Sequence, residues 1–169
     1  MHIKARDKIK TIEEIAKITK AAKAAGKKVV TTNGTFDLIH VGHVRYLEEA
    51  KALGDILIVG INSDRSTKAY KGPTRPILGE EDRAEIIAGL AAVDYVFIFD
   101  EPDPRSWLQK IHTDIHAKGG DWKNPDPSRA IHTMIEAPLL KEKGAEFILI
   151  DFVPGKSTSA IIEKIRKQG

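Results

Sequence analysis

Two histidines, His40 and His43, lie close to glycines in the segment TTNGTFDLIHVGH, residues 31–43. Gly34 follows a short apolar run, and Gly42 stands between the two histidines, where a helix is expected to begin. The start of a helix exposes unpaired N–H groups and the positive end of the helix dipole, and both favour a bound phosphate. Side chains three residues apart on a helix are neighbours, so both imidazoles can face one anion. The pattern therefore predicts a phosphate-binding site.

Two other interpretations fit the same residues. Asp37, His40 and His43 recur at every third position, and a carboxylate with two imidazoles is a common ligand set for a transition metal. The histidines can also be packing or surface residues without a chemical role. The order of strand, glycine turn and helix favours the phosphate site over both alternatives.

Composition limits the classes of protein to which the chain can belong. Its 169 residues fit a single domain, 1–169, with residues 1–27 as an N-terminal helical extension packed on it. The net charge of +3 and the aromatic content of 6% argue against a nucleic-acid-binding protein. No apolar run approaches the ~18 residues of a membrane span, the N-terminus lacks the features of a secretory signal, and cysteine is absent. We therefore expect a cytoplasmic protein without membrane or nucleic-acid partners.

Apolar runs alternate with helical patterns along the chain. The run DILIVGIN, residues 55–62, is almost continuously apolar, as is typical of a parallel strand buried on both faces. We predict an α/β fold with a Rossmann-like, doubly wound, mainly parallel five-stranded sheet and helices on both faces. Residues 62–79 and 119–128 are predicted loops at the carboxyl ends of strands, where ligands bind in such sheets. Residues 128–144 are predicted to form a helix that Pro138 kinks or splits.

The segment GTFDLIHVGH resembles the HxGH motif of the cytidylyltransferase-like nucleotidyltransferases, with His40, Gly42 and His43 in the motif positions. Further segments resemble, in order, one family of that superfamily: NSD, KGPTRPI, KGGDW and GKSTS. It is the heptose 1-phosphate adenylyltransferase family, which also forms the second half of bifunctional ADP-heptose synthases. The resemblance runs from about Lys8 to the end of the chain. Because the sequence lacks the kinase half of the bifunctional members, we expect a stand-alone transferase.

The resemblance implies a reaction. AMP is transferred from ATP to D-glycero-D-manno-heptose 1-phosphate, giving ADP-heptose and pyrophosphate for lipopolysaccharide core or other surface glycans. The sugar phosphate is already ionised near neutral pH, so a direct in-line attack on the α-phosphorus needs alignment and charge stabilisation and no general base. The expected cofactor is Mg²⁺, held mainly by the ATP phosphates with no metal site fixed by the protein. A homo-oligomer is expected from the family.

The resemblance also implies roles for individual residues. His40, His43 and Lys118 are the expected catalytic residues, with His43 the first choice for stabilising the transition state. Besides both histidines, the nucleotide is expected to contact Asn33, Gly34, Thr35, Phe36, Gly42, Arg83, Gly119, Asp121, Ser157, Thr158 and Ser159. The sugar-phosphate substrate is expected to contact Asp37, Asp64, Lys68, Lys71, Arg75 and Trp122. The sequence does not separate the roles of Asp64 and Asp121, which can serve sugar hydroxyls, magnesium or the nucleotide.

Simpler roles remain open for several of these residues. Ser157 is also a good N-cap for the last helix, and the two interpretations are compatible. Lys68 and Lys71 can belong to a solvated loop, and Arg83 can lie on a helix surface. Other branches of the superfamily carry an arginine several residues before Ser157, whereas Lys156 is the nearest cation in this chain.

Three rival functions also remain open. The acceptor can be another small phosphate, such as glycerol 3-phosphate or flavin mononucleotide, and the donor can be CTP. Asp37, His40 and His43 can instead serve a metal-dependent hydrolase. The chain can also bind a nucleotide without catalysis. Residues 124–143 leave the specificity for the sugar undecided.

Overall fold

Five parallel strands form one sheet in the order β3-β2-β1-β4-β5. The computed structural model describes residues 3–120, 135–151 and 153–168. The strands are β1 (Val29–Gly34), β2 (Ile56–Asn62), β3 (Tyr95–Phe99), β4 (Ile115–Gly120) and β5 (Glu146–Asp151). The predicted α/β class and five-stranded parallel sheet are confirmed.

The strand order changes direction at β1, because β2 and β3 lie on one side of it and β4 and β5 on the other. β1 pairs with β2 from Val29 to Gly34, along its whole length. With β4, which the structure describes completely, it pairs only at Val30 and Thr31. The carboxyl ends of β1 and β4 therefore border a crevice, and ligands bind at such a switch point in open parallel sheets.

Helices cover both faces of the sheet, as predicted. After a 3-10 turn at Ala5–Lys8, the described helices are α1 (Ile12–Ala24), α2 (Val41–Ala52), α3 (Asp64–Lys71), α4 (Glu80–Ala88), α5 (Arg105–Leu108), α6 (Ala137–Glu142) and α7 (Thr158–Gln168). Leu47 of α2 and Ile87 of α4 belong to one apolar cluster. Ile15 of α1, Trp107 of α5 and Leu140 of α6 belong to the other.

The predicted loop 62–79 is partly wrong, since residues Asp64–Lys71 form α3. The Ser63 hydroxyl caps this helix by accepting a hydrogen bond from the Ser66 N–H at 3.0 Å. Gly72 ends it with a φ of +93°, a left-handed conformation that glycine adopts without strain. The helix carries few apolar residues, so its sequence has no apolar stripe at helical spacing from which it could be predicted.

The predicted helix 128–144 differs from the structure in the part that is described. There, the helix α6 covers only Ala137–Glu142, and Pro138 lies in its first turn. A proline in the first turn removes an N–H that has no partner within the helix, so Pro138 begins this helix and does not kink it. Residues 128–134 of the prediction lie outside the described residues.

The described helices do not include one that is both long enough and apolar enough to cross a membrane.

A histidine on β4, His116, is fully buried. Its Nδ1 lies 2.8 Å from the Thr31 hydroxyl oxygen, and its Nε2 has no hydrogen-bond partner among the described residues. Burial, and to a lesser extent the nearby charge of Lys118, holds the pKa of His116 well below its usual value. The imidazole is therefore neutral in the folded protein at neutral pH.

We predict that His116 makes the fold sensitive to acid. Below about pH 6.5, His116 of the unfolded chain binds a proton that native His116 excludes. The stability that comes from keeping His116 neutral is therefore complete above that pH, and the free energy of unfolding decreases as the pH falls below it. From pH ~7.5 to ~5.5, the free energy of unfolding should fall by about 1.4 kcal/mol more in the wild type than in His116→Gln. Urea denaturation at both pH values measures the difference, and equal losses in the two proteins would contradict the prediction.

Candidate active site

His40 caps the start of α2 with its own imidazole. Its Nδ1 accepts a hydrogen bond from the Gly42 N–H at 3.1 Å, and the His43 Nδ1 faces the His40 N–H in a longer contact of 3.4 Å. The two ring centroids are 3.9 Å apart. Because each Nδ1 faces a backbone N–H, each neutral ring carries its proton on Nε2, where it can donate to a bound anion.

Gly42 provides the space in which the His40 ring lies. A Cβ at residue 42 would lie 2.8 Å from the His40 Cε1 and 2.9 Å from its Nδ1, closer than real side chains approach. The Lys156 Cβ lies 3.5 Å from the same position. Any larger residue at position 42 would therefore displace the ring that caps the helix.

Both histidines have a pKa below the usual value. Burial lowers the pKa of His43 to about 4, and repulsion from Lys71 and from His40 in its protonated form adds to the effect. For His40 the pKa is lowered by burial and by Lys156. At neutral pH the site therefore contains two neutral rings beside two lysines and a helix N-terminus, and this excess of positive potential favours an anion.

The turn after β1 brings Phe36 against the histidines. Phe36 is buried, its ring centroid lies 5.4 Å from that of His43, and its φ is +48°. Such a φ is uncommon for a residue other than glycine and requires support from the surroundings. Gly34 admits the Phe36 ring, which would lie 3.0 Å from a Cβ at position 34. Asn33, at the end of β1, has a buried Oδ1 that lacks a partner in the described residues.

Arg83 is fully buried, and its hydrogen bonds hold the turn after β1 in place. Its guanidinium donates to the Thr35 carbonyl at 2.6 Å, the Asn62 carbonyl at 2.8 Å, the Leu78 carbonyl at 2.9 Å and the Asp64 carboxylate at 2.8 Å. The helix-surface role considered for Arg83 is therefore wrong. Its contact with a nucleotide stays a prediction, and most of its N–H donors are bound to the chain itself.

Asp37 is also buried and holds a second loop in place. Its carboxylate accepts hydrogen bonds from the Ile77 and Leu78 N–H groups, both at 2.9 Å, and pairs with Arg75 at 3.0 Å. These donors occupy the carboxylate that a metal site would require. Within residues 3–120, 135–151 and 153–168, no group of three or more His, Cys, Asp or Glu side chains is arranged to hold a metal ion. The geometry thus gives no support to a metal site at Asp37, His40 and His43.

The two lysines of the predicted loop lie on α3. Lys68 is exposed, whereas the charge of Lys71 reaches His43 and lowers its pKa. Between them lies Tyr70, whose hydroxyl is hydrogen-bonded to the Thr35 hydroxyl. This contact joins α3 to the turn after β1, so α3 brings Lys71 close to the histidines.

The last helix meets the start of α2. The Ser157 hydroxyl accepts a hydrogen bond from the Ala160 N–H at 3.1 Å, which confirms the predicted N-cap contact. The Thr158 hydroxyl donates to the Leu38 carbonyl at 3.0 Å, and Ser159 is exposed in the first turn of α7. The start of α7 is therefore anchored beside His40.

Lys118 and Gly119 lie near the carboxyl end of β4, across the crevice from β1. The Lys118 ammonium lies 3.1 Å from the carboxylate of Glu136. Asp121 and Trp122 lie outside the described residues, so their roles stay predictions. Sequence reasoning did not find Tyr70 or Glu136, because nothing in the pattern around either residue points to the site.

Comparisons with known proteins agree with the geometry. The sequence profile of the cytidylyltransferase-like family matches residues 31–164. Two curated relatives, each named bifunctional protein HldE, come from Geotalea uraniireducens and a Nitratiruptor species. They are 46% and 48% identical over 94% of this chain. The chain spans only about a third of their length, 31% and 32%.

A solved structure has the same fold. It is the lipopolysaccharide core biosynthesis protein from Thermoplasma volcanium, which is 30% identical and superposes with a TM-score of 0.58. The match covers 76% of this chain and 98% of that one.

We predict that His43 of the empty protein titrates near its lowered pKa of about 4 and that pyrophosphate raises this pKa. The measurement is NMR of histidine-labelled protein, with His43→Asn to identify the signal. His112 lies just before the amino end of β4, at the opposite end of the strands from His43, and pyrophosphate should leave its signal unchanged as a reference. A midpoint near 6.5 in the empty protein, or one that pyrophosphate does not move, would contradict an anion site at His43.

Proposed function

The chain belongs to the cytidylyltransferase-like family of nucleotidyltransferases, and from this membership we propose that it transfers AMP from ATP to D-glycero-D-manno-heptose 1-phosphate, with release of pyrophosphate. The observation that carries the proposal is the pair of neutral imidazoles at the start of α2, flanked by Lys71 and Lys156. The HldE relatives and the KGGDW and KGPTRPI segments support the heptose phosphate as the acceptor.

The proposed reaction makes few chemical demands on the protein. The attacking phosphate oxygen is already ionised, so the protein has to align two anions and stabilise charge at the α-phosphorus. His40 and His43 would donate from Nε2 to oxygens of the ATP phosphates. Because the rings are neutral in the empty site, binding of the anion would raise their pKa and strengthen these hydrogen bonds.

The first turn of α7 supports the nucleotide end of the site in this proposal. Thr158 holds the helix against Leu38, while the Ser157 and Ser159 hydroxyls remain near the helix N-terminus for the β- and γ-phosphates. Lys156 lies beside His40 and would add a positive charge close to the leaving pyrophosphate. Lys68 and Lys71, which lie on α3, would contact the phosphates.

In this proposal a magnesium ion arrives with ATP and is held mainly by its phosphates. The Asp64 carboxylate is paired with Arg83 at 2.8 Å. Mg²⁺ is commonly held by substrate phosphates with few protein ligands, and when bound it neutralises phosphate charge. We therefore assign to the protein the tasks of binding and alignment.

The test is the release of pyrophosphate in the presence of magnesium. ATP and CTP are each combined with heptose 1-phosphate, glycerol 3-phosphate and flavin mononucleotide. We expect release with ATP and heptose 1-phosphate only, and a loss of kcat in His43→Ala of about 100-fold or more, as for other donors to transition-state charge. Strong turnover with a different pair would overturn the substrate assignment, and no turnover with any pair would overturn the proposed transferase activity.

A further inference from the structure

Glu136 is a buried carboxylate at the edge of the site. It has no exposed surface, and neither of its carboxylate oxygens has a hydrogen-bond partner within the described residues. One oxygen lies 3.1 Å from the Lys118 ammonium, close enough for an ion pair but at angles outside those of a hydrogen bond. A carboxylate removed from water is unfavourable unless a cation compensates it, so Glu136 depends on Lys118.

Lys118 lies near the carboxyl end of β4, which borders the crevice between β1 and β4. Its side chain is 17% exposed, and Gly119 and Gly120 follow it to the end of β4. A lysine ammonium has three N–H donors at the end of a flexible chain. One contact with Glu136 therefore fixes its position and leaves donors for a phosphate.

Among the residues that the structure describes, the charges near Lys118 and Glu136 do not replace this pair. Asp103 and Arg105 lie close enough to influence it, but they form their own ion pair, with the Arg105 Nε 2.9 Å from the Asp103 carboxylate. Asp103 is thus occupied by Arg105 and does not hold Lys118. His116, also nearby, is neutral because burial lowers its pKa.

We propose that Glu136 is a positioning residue, which holds the Lys118 ammonium in the crevice so that it binds the phosphate of the sugar-phosphate acceptor. This inference rests on the proposed function. Glu136 is buried and acts only through Lys118. A fixed ammonium would align the attacking phosphate with the α-phosphorus of ATP, whereas an unanchored lysine would adopt many positions.

A double-mutant cycle tests the proposal. Glu136→Gln should lower kcat/KM for the sugar phosphate by about 10- to 100-fold. In the Lys118→Met background, the same substitution should change kcat/KM by less than about twofold. The matched control is Glu163→Gln, which removes an exposed pair of the same type, 2.6 Å from Lys167, and should leave kcat/KM unchanged. An equal effect of Glu136→Gln in both backgrounds, or no effect in the wild type, would overturn the proposal.

Two further readouts keep the test decisive if Lys118→Met does not fold. Glu136→Asp keeps the charge and should retain more activity than Glu136→Gln, and equal activities would contradict the proposal. The ¹⁵N signal of the Lys118 ammonium, identified with Lys118→Arg, should shift in Glu136→Gln without any substrate present, and an unchanged signal would overturn the proposal. Because this shift does not depend on turnover, it separates a failure of the positioning role from a failure of the proposed transferase activity.

Discussion

At the start of α2, the His40 ring fills the space that a side chain at residue 42 would occupy, and its Nδ1 accepts the Gly42 N–H. This contact fixes the ring at the helix N-terminus and determines which nitrogen carries the proton. His43 depends on it in turn, since its own Nδ1 faces the His40 backbone. The arrangement leaves two Nε2 donors beside the positive end of the helix dipole, where an anion is stabilised by both.

Buried polar contacts hold this turn in place. Arg83 binds the carbonyls at the ends of β1 and β2, so the turn after β1 cannot move independently of the sheet. Asp37 accepts a hydrogen bond from Ile77, which ties the segment after α3 to the same turn. Thr158 donates to Leu38 and so attaches α7 to it. Arg83 and Asp37 lie in the interior, where leaving a polar group unpaired would be costly. The segments that carry the cations near the histidines are therefore attached to a turn that the sheet holds in place.

The sequence was sufficient to predict the sheet and the helix start because both rest on local patterns. The continuous apolar run of β2 and the glycine turn before His40 each determine structure over a few residues. The positions of Arg83 and Glu136 were not predictable, because a charged residue in a polar segment gives no sign that it will be buried. The helix α3 was not predicted because its sequence is mostly polar. Ser63 and Gly72, which cap its two ends, are also common in loops.

The most direct test of the central claim is to compare ATP binding to Gly42→Ala and Gly79→Ala by calorimetry. Both glycines lie at the start of a helix, but only at residue 42 would a Cβ meet the His40 ring, at 2.8 Å, whereas at residue 79 the nearest atom is 3.9 Å away. We expect Gly42→Ala to weaken ATP binding by about 10-fold or more through displacement of the ring, and Gly79→Ala to leave it nearly unchanged. Equal affinities in both variants, with the fold intact, would contradict the claim that the position of His40 determines anion binding.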